Sequence, residues 1–260
     1  MLQATHSLPA MSDTWPADLT GYVNFRDLGG HPTRDGHVRH GRVFRSDSLA
    51  HVEPEHVEHL VEERGVRTVV DLRGATEVDA FPNHPMRDAG AVIHHIPLID
   101  PAKRESSGFE WETMTLIDLY RFILDSAGPQ FVEVLQIIAE PAHHPLVFHC
   151  AAGKDRAGLI AACVLGLLEV DDEEIVADYA ATEAALEALK ERAMQRATDT
   201  GRAPAARFMT ADAATMRETL AWLHETHGGF APYLLGHGFT DGELELLRVS
   251  LIEPAPEGKA

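Results

Sequence analysis

The chain has 260 residues, of which 41 are acidic and 22 basic, so its formal net charge is −19 at pH 7 with the 16 histidines counted as neutral. So acidic a composition argues against a protein that binds nucleic acid through the phosphate backbone. The hydrophobic share of 45% and the charged share of 24% exclude a disordered chain and are typical of a folded globular protein.

The sequence shows no feature of a membrane or secreted protein. No segment reaches the roughly 18 consecutive apolar residues of a membrane helix, so we expect no integral membrane contact. Residues 1–20 carry no basic stretch followed by an apolar core, which predicts a cytoplasmic protein and leaves signal-free export open. Two cysteines, Cys150 and Cys163, are too few for a disulfide framework. The oligomeric state is not predicted by any of these features.

One domain is predicted, since neither a repeat nor a low-complexity linker interrupts the chain. We expect residues 1–20 to form a flexible tail, residues 21–252 the domain and residues 253–260 a second tail. Near the start of the domain, the glycine-rich segment 21–46 contains Arg-Asp-Gly-His at 34–37, which predicts a hairpin turn.

The next elements alternate between strand and helix. Short apolar runs bounded by polar, proline or glycine residues predict buried strands at 68–72, 91–97 and 146–149. Helical periodicity predicts helices at 53–64, 111–126 and 129–140. This alternation predicts an α/β fold with a central, mostly parallel β-sheet flanked by helices.

The C-terminal half is predicted to be helical. Helical patterns cover residues 157–168, 171–184, 210–227 and 241–251. The charge run 171–174 suits a solvated helix N-terminus, where acidic side chains meet the partial positive charge of the helix. The helices around 104–127 and 183–210 are candidates for a helical lid.

One segment carries a recognisable chemistry. A strand ends at His149, the loop 150–156 follows, and an apolar helix comes next. The backbone N–H groups of such a loop can converge on an anion, and the helix N-terminus behind it adds positive potential. Gly153 allows a backbone conformation or a close approach that a side chain would obstruct.

The side chains of this loop predict a nucleophile and an anion clamp. Electropositive surroundings favour the thiolate of Cys150, and the planar guanidinium of Arg156 can bind two oxygens of a tetrahedral anion. The implied reaction is attack of Cys150 on a phosphate ester and hydrolysis of the resulting phosphocysteine, with no cofactor and no metal. A nucleotide-binding P-loop is excluded because Lys154 is followed by Asp155 instead of Ser or Thr.

The pattern His-Cys-x5-Arg at 149–156 resembles the signature of the protein-tyrosine-phosphatase superfamily. The full His-Cys-Ala-Ala-Gly-Lys-Asp-Arg is similar to that of a bacterial branch of tyrosine and lipid phosphatases. Further segments resemble this branch in the same order, at 24–30, 44–46, 70–73, 175–179, 228–230 and 233–234. The resemblance spans roughly residues 22–251 and implies a phosphatase-type sheet.

The resemblance also implies roles for individual residues. Cys150 would be the nucleophile and Arg156 the transition-state clamp. The substrate-binding residues would be Ala151, Ala152, Gly153, Lys154, Ala157 and Gly158. At position 157 the superfamily often has Ser or Thr, so the alanine here implies a slower departure of the thiolate. Supporting residues around the loop would be His149, Arg26, Arg45 and Arg73.

The general acid that protonates the leaving group has three candidates. The resemblance favours Asp155, in the loop motif itself. Asp100 stands where tyrosine phosphatases generally place an acid on a mobile loop, and Asp71 ends a strand beside the loop. A carboxylate that only pairs with a neighbouring arginine is the competing interpretation of Asp155.

Four functions follow as alternatives. The first is a protein-tyrosine phosphatase, with dual specificity left open and a phosphotyrosine protein as partner. The second is a phosphoinositide phosphatase, in which Lys154 binds a further phosphate of the head group, although a solvated lysine is an equal interpretation. The third is a rhodanese-like sulfurtransferase, an enzyme of another class that also uses a loop cysteine. The fourth is a non-catalytic module that binds phosphate.

Overall fold

The computed structural model describes residues 22–81, 84–100, 105, 113–200 and 209–255. Its strands are, in chain order, β1 (Arg26–Asp27), β2 (Pro32–Thr33), β3 (Gly36–Val38), β4 (Val43–Ser46), β5 (Thr68–Asp71), β6 (Val92–His95), β7 (Leu146–His149) and β8 (Ile252–Pro254). Five of them form the central sheet in the order β1-β4-β7-β5-β6. Only β1 runs antiparallel to its neighbour, so the predicted mostly parallel sheet is confirmed.

The α-helices of the described part are α1 (Pro54–Glu58), α2 (Ala75–Ala80), α3 (Pro85–Asp88), α4 (Leu116–Ser126), α5 (Gly128–Ala139), α6 (Asp155–Leu167), α7 (Asp172–Ala180), α8 (Leu186–Thr200), α9 (Ala213–His227), α10 (Phe230–Gly236) and α11 (Asp241–Leu251). They confirm an α/β fold with a helical C-terminal half. The lid stays a prediction, since residues of both candidate segments lie outside the described part.

Capping side chains set several helix boundaries. The helix predicted from residue 111 begins at Leu116, because Thr115 accepts a hydrogen bond from the amide of Asp118 and so caps the first turn; residues 111 and 112 lie outside the described part. Asp212 caps α9 in the same way. Asp171 caps α7, with exposed acidic residues in its first turn, as the charge run predicts.

Strand β7 is the central strand and is buried on both faces. Leu146 and Phe148 belong to the larger core, with α4–α7 and α9–α11, while Val147 belongs to the smaller core with α1 and α3. Alternate residues of a strand point to opposite faces, which explains the division. The rigid surroundings fix the position of the chain as it leaves the strand at His149.

A small second sheet joins the two ends of the domain. The predicted turn at 34–37 links β2 and β3, with Thr33 paired to Gly36. Strand β8 pairs with β3, so Glu253 and Pro254, predicted to begin the C-terminal tail, lie in a strand instead. Proline is tolerated on an edge strand, and β8 lies at the edge of this sheet, so Pro254 is compatible with the pairing.

The helices of the described ranges differ from membrane spans in length or composition. Taken singly, none of these helices combines the length and the apolar character needed to cross a membrane, whereas the consecutive pair Leu116–Ser126 and Gly128–Ala139, bent by 78°, meets both requirements jointly.

Candidate active site

The loop that follows β7 lies at the carboxyl end of the central sheet, between the ends of β4 and β5. The amide of Leu72 donates to the carbonyl of His149 at 2.9 Å, and the amide of Ser48 donates to that of Ala151 at 3.3 Å. The carboxyl ends of parallel strands are where open α/β sheets bind ligands. The segment with the predicted chemistry therefore lies where this fold class carries its sites.

Helix α6 starts earlier than the sequence indicates. It begins at Asp155, and the amide of Gly158 donates to the carbonyl of Lys154 at 2.8 Å, which is the first i→i−4 bond of the helix. The loop therefore spans 150–154, and Asp155 and Arg156 stand on the first helical turn instead of in the loop. The free amides of that turn add to the positive potential around the loop.

Gly153 gives the loop a shape that no other residue can adopt without strain. Its φ is +65°, and a Cβ atom would lie 2.5 Å from the carbonyl carbon and oxygen of Ser46 and 2.6 Å from the amide nitrogen of Asp47. A side chain would therefore meet both a left-handed backbone and a clash with the end of β4. The close approach expected at this glycine is present.

Arg45, on β4, is hydrogen-bonded to the backbone of the loop. Its Nη2 donates to the carbonyls of Gly153 at 2.8 Å and Lys154 at 3.4 Å, and its Nη1 forms an ion pair with the carboxylate of Asp178 on α7. Burial and the neighbouring cation of Arg26 lower the pKa of Arg45 to about 10, which Asp178 only partly offsets. The contacts of Arg45 thus suit a residue that supports the loop backbone.

Arg26 supports the same loop indirectly. Its Nε donates to Asp178 at 2.7 Å and its Nη1 to the side-chain oxygen of Asn24 at 2.6 Å. The Asn24 amide nitrogen in turn donates to the carbonyl of Ala152 at 3.0 Å. Asn24 lies in the segment that resembles the bacterial branch, but sequence reasoning gave it no role.

Cys150 is 1% exposed and interacts electrostatically with two cations, Arg45 and Arg156. Burial would lower the pKa of Arg156, but the carboxylate of Glu77 and the charge of the Cys150 thiolate outweigh it and hold that pKa above its ordinary value. The same thiolate charge acts on Arg45. The sulfur atom therefore lies within electrostatic reach of both guanidinium groups, as its predicted role requires.

Arg156 is oriented by Glu77, a residue that the sequence analysis missed. Its Nη1 donates to Oε2 of Glu77 at 2.5 Å and its Nη2 to Oε1 at 2.9 Å, while the carbonyl of Leu72 accepts from Nη1 at 3.3 Å. The available signal was weak: a glutamate in the first turn of a helix that directly follows the Val-Asp-Leu-Arg segment at 70–73.

Asp155 receives two donors. The hydroxyl of Tyr120, on α4, donates to its Oδ1 at 2.7 Å, and Nζ of Lys154 lies 3.1 Å from the same oxygen. The carboxylate stays partly accessible, since 24% of the side chain is exposed. It is therefore held in place but within reach of a ligand at the loop.

Lys154 is buried, contrary to the interpretation of a solvated side chain. It is 2% exposed, and its Nζ donates to the carbonyl of Thr210 at 2.6 Å besides contacting Asp155. The ammonium thus links the loop to the segment before α9. A bound ligand would have to compete with both partners.

Two histidines and Asp71 lie behind the loop. His149 Nδ1 is 3.2 Å from the carbonyl of Cys150, so Nδ1 carries the proton and Nε2 accepts from Nε2 of His84 at 3.3 Å. Asp71 is held by Arg73, whose Nη2 lies 2.7 Å from Oδ2. Ligand atoms of Asp71, His84 and His149 lie within 4.8 Å of one another, which makes them the metal-binding candidate of the described residues.

This arrangement supports a structural role for the cluster in preference to a metal site. Oδ1 of Asp71 already accepts from the backbone amide and Nε of Arg73, both at 3.0 Å, and Arg73 brings a positive charge beside the three ligand atoms. A divalent cation would be repelled by that guanidinium. Asp71 therefore orients Arg73.

The remaining predicted residues differ in accessibility. Ala151 and Ala152 are partly exposed at the loop, whereas Ala157 and Gly158 are buried in α6. Gly158 packs against Tyr179 and Arg45, since a Cβ there would lie 3.2 and 3.3 Å from them. Asp100 is exposed and adjoins residues 101–104, which are outside the described part.

Two known phosphatases are similar to this chain in sequence. The tyrosine-protein phosphatase of Nostoc commune is 33% identical over 199 residues, which are 72% of this chain and 66% of that protein, slightly less than two thirds of its length. The triple specificity protein phosphatase PtpB of Mycobacterium tuberculosis is 27% identical, with 90% of this chain and 98% of that protein covered.

A similar solved structure is the core catalytic domain of the PP-IP phosphatase SIW14 from S. cerevisiae, with 15% identity, a TM-score of 0.41, and coverage of 64% of this chain and 79% of that one. The sequence model described as the tyrosine phosphatase family matches residues 17–253. With nearly the whole chain matched and a cysteine, a glycine and an arginine arranged around one loop, this protein belongs to the tyrosine phosphatase family.

Proposed function

We propose that this chain is a protein-tyrosine phosphatase that hydrolyses phosphomonoesters through a phosphocysteine intermediate on Cys150. One observation carries the proposal: the buried Cys150 opens a loop that Gly153 and Arg45 hold against the N-terminus of α6, beside the oriented guanidinium of Arg156. Thiolate attack on a phosphate ester needs this combination of a nucleophile, converging amides and a fixed cation.

The first step forms the phosphoenzyme. The Cys150 thiolate attacks phosphorus, and the bond to the leaving oxygen breaks as the sulfur–phosphorus bond forms. Loop amides and Arg156 hold the other three oxygens while their charge redistributes. Asp155, on the same helical turn as Arg156, gives its proton to the leaving oxygen.

The second step releases phosphate. Water attacks the phosphocysteine, Asp155 takes a proton from it, and the thiolate of Cys150 leaves. Because position 157 is a buried alanine, no hydroxyl follows Arg156 to assist that departure. We expect hydrolysis of the phosphoenzyme to be the slower of the two steps.

Phosphotyrosine is the substrate that the site favours. Lys154, which the phosphoinositide alternative needs for a second phosphate, is buried and already bonded to Thr210 and Asp155. Head-group recognition would require these bonds to break. The mycobacterial relative is named a triple specificity phosphatase, so phosphoserine peptides and phosphoinositides belong in the same assay. We propose a cytoplasmic location, since both cysteines are free thiols.

The test measures hydrolysis of p-nitrophenyl phosphate, phosphotyrosine and phosphoserine peptides and phosphoinositides by the wild type, Cys150→Ala and Cys163→Ala. The last is a matched control, because Cys163 is buried within α6. We expect the wild type and Cys163→Ala to hydrolyse phosphotyrosine and Cys150→Ala to be inactive. We also expect a phosphoenzyme to be detected when the wild-type reaction is quenched with acid.

Two results would overturn the proposal. A wild type inactive on every phosphoester, with release of thiocyanate from thiosulfate and cyanide, would identify a sulfurtransferase. Undiminished activity of Cys150→Ala would exclude the named nucleophile. A clear preference for phosphoinositides over phosphotyrosine would instead establish the lipid alternative on the same catalytic residues.

A further inference from the structure

The two carboxylate oxygens of Asp155 have different surroundings. Both donors, the hydroxyl of Tyr120 at 2.7 Å and Nζ of Lys154 at 3.1 Å, converge on Oδ1. Within the part of the chain that the structure describes, no hydrogen bond to Oδ2 is formed. Since a carboxyl group carries its proton on the oxygen that does not accept from strong donors, the two oxygens are not interchangeable.

Tyr120 does not act alone, because its hydroxyl also contacts that of Tyr179 at 2.7 Å. Both tyrosines are buried, and they come from different helices, α4 and α7. A hydroxyl has one proton to donate, and Tyr120 uses it on Asp155. Tyr179 must therefore donate to Tyr120, which gives a chain of hydrogen bonds that runs in one direction and ends at Oδ1.

The chain keeps its direction over the working pH range. Burial, reinforced by the negative charge of Asp155, raises the pKa of Tyr120 well above its ordinary value and raises that of Tyr179 as well. Both hydroxyls therefore stay protonated and remain donors. Their rings are fixed by the core, so the carboxyl plane of Asp155 is fixed with them.

We infer that Tyr120, held by Tyr179, is a positioning residue that makes Oδ2 the proton-carrying oxygen of Asp155. This inference rests on the proposed phosphatase function. In the first step the Oδ2 proton passes to the leaving oxygen, which takes the electron pair of the broken phosphorus–oxygen bond. In the second step a proton of the attacking water returns to Oδ2, and the sulfur takes back the electron pair of its bond to phosphorus.

The inference predicts a dependence on the leaving group. Phenyl phosphate needs a general acid, whereas the stable p-nitrophenolate can leave with little protonation. We expect Tyr120→Phe to lower kcat/KM for phenyl phosphate by about tenfold and that for p-nitrophenyl phosphate by less than about twofold. The tenfold loss is smaller than the ~10²–10⁴-fold that a general acid supplies, because the acid itself remains. We expect Tyr179→Phe to act in the same direction with a smaller loss.

Matched variants separate positioning from general damage. Tyr233→Phe removes a buried hydroxyl that donates to the carbonyl of Leu124 at 2.6 Å, away from the loop, and should leave both rates unchanged. Asp155→Asn, which removes the acid itself, should lose more kcat/KM on phenyl phosphate than Tyr120→Phe does and much less on p-nitrophenyl phosphate than on phenyl phosphate. In the Asp155→Asn background, Tyr120→Phe should have no further effect, because the group it positions is no longer an acid.

Three outcomes would overturn the inference. Equal losses on both substrates in Tyr120→Phe, with an unchanged Tm, would mean that the hydroxyl does not act through proton transfer. A further loss in the Asp155→Asn background would mean that it acts elsewhere. If Asp155→Asn shows no leaving-group dependence, Asp155 is not the acid and the positioning role falls, while the effect of Cys150→Ala still decides the phosphatase function separately.

Discussion

Glu77 binds the guanidinium of Arg156 with both carboxylate oxygens, although 79 residues separate the two in sequence. Oε2 of Glu77 also accepts from the amide of Gly74 at 2.8 Å, which anchors the carboxylate to the start of α2. The cation proposed to bind the transition-state oxygens is thus oriented by a group that is itself fixed to the backbone. A bidentate pair of this kind fixes the plane of the guanidinium as well as its position.

We predict that Glu77→Gln lowers kcat/KM for p-nitrophenyl phosphate by about tenfold or more, because the uncharged amide presents a donor to one Nη group and lets the guanidinium turn. Steady-state kinetics measure the loss. The matched control is Glu173→Gln, which breaks an exposed bidentate pair with Arg217, at 2.7 and 2.8 Å, and should leave the kinetics unchanged. Wild-type rates in Glu77→Gln would contradict the role of the pair.

Gly153 offers a test of loop shape with a close internal control. Gly65 has φ of +69°, similar to the +65° of Gly153, but a Cβ added to Gly65 would meet nothing within 4 Å. Gly65→Ala should therefore lose only about 1 kcal/mol of unfolding free energy, from the left-handed backbone. We predict a larger loss, together with loss of phosphatase activity, for Gly153→Ala, measured by urea unfolding and kinetics. Equal effects of the two substitutions would show that the clash with Ser46 is relieved.

The chemistry of the site could be predicted from sequence because it depends on one continuous segment. Apolar character predicts strand β7 to the residue and the apolar helix that follows, and the pattern of Cys150, Gly153 and Arg156 predicts the anion loop between them. The boundary at Asp155 was wrong, because helix α6 starts as soon as the backbone of Lys154 can accept a bond from Gly158.

What the sequence could not predict are the partners brought in by tertiary packing. Glu77, Tyr120 and His84 contact the site residues from separate elements, and each has an ordinary local context in the sequence. The burial of Lys154 was missed for the same reason, since its partner Thr210 is 56 residues away. Local patterns predict the elements and the nucleophile, whereas the groups that orient them depend on contacts between distant segments.

Arg45 and Asp178 form a buried pair whose loss should reach the loop. We predict that Arg45→Lys destabilises the protein by about 1–3 kcal/mol, the scale for a lost buried hydrogen bond, because lysine keeps the positive charge but one ammonium cannot replace the bonds to Gly153 and Asp178 together. Activity should fall as the loop loosens. Urea unfolding and kinetics on p-nitrophenyl phosphate measure both effects, with the exposed Arg217→Lys as control. A variant with wild-type stability would show that the pair is not needed to hold the loop.

The pair of His84 and His149 makes stability depend on pH. Burial and the neighbouring His149 lower the pKa of His84 to about 3, from an ordinary value of 6.5. When the pH falls below 6.5, His84 takes up a proton in the unfolded chain, whereas in the folded protein it stays neutral until the pH nears 3. The free energy of unfolding therefore falls as the pH falls from 6.5 towards 3. Between these two pKa values, each unit by which the pH falls lowers the free energy of unfolding by about 1.4 kcal/mol.

We predict that His84→Gln reduces this pH dependence, because glutamine keeps an N–H donor towards Nε2 of His149 but does not titrate. Between about pH 6 and pH 4, the wild type should lose about 2–3 kcal/mol more unfolding free energy than the variant. Urea unfolding at a series of pH values measures the difference. If the unfolding free energies of the wild type and the variant change with pH in parallel, His84 takes up a proton as readily in the folded protein as in the unfolded chain. The prediction would then be wrong.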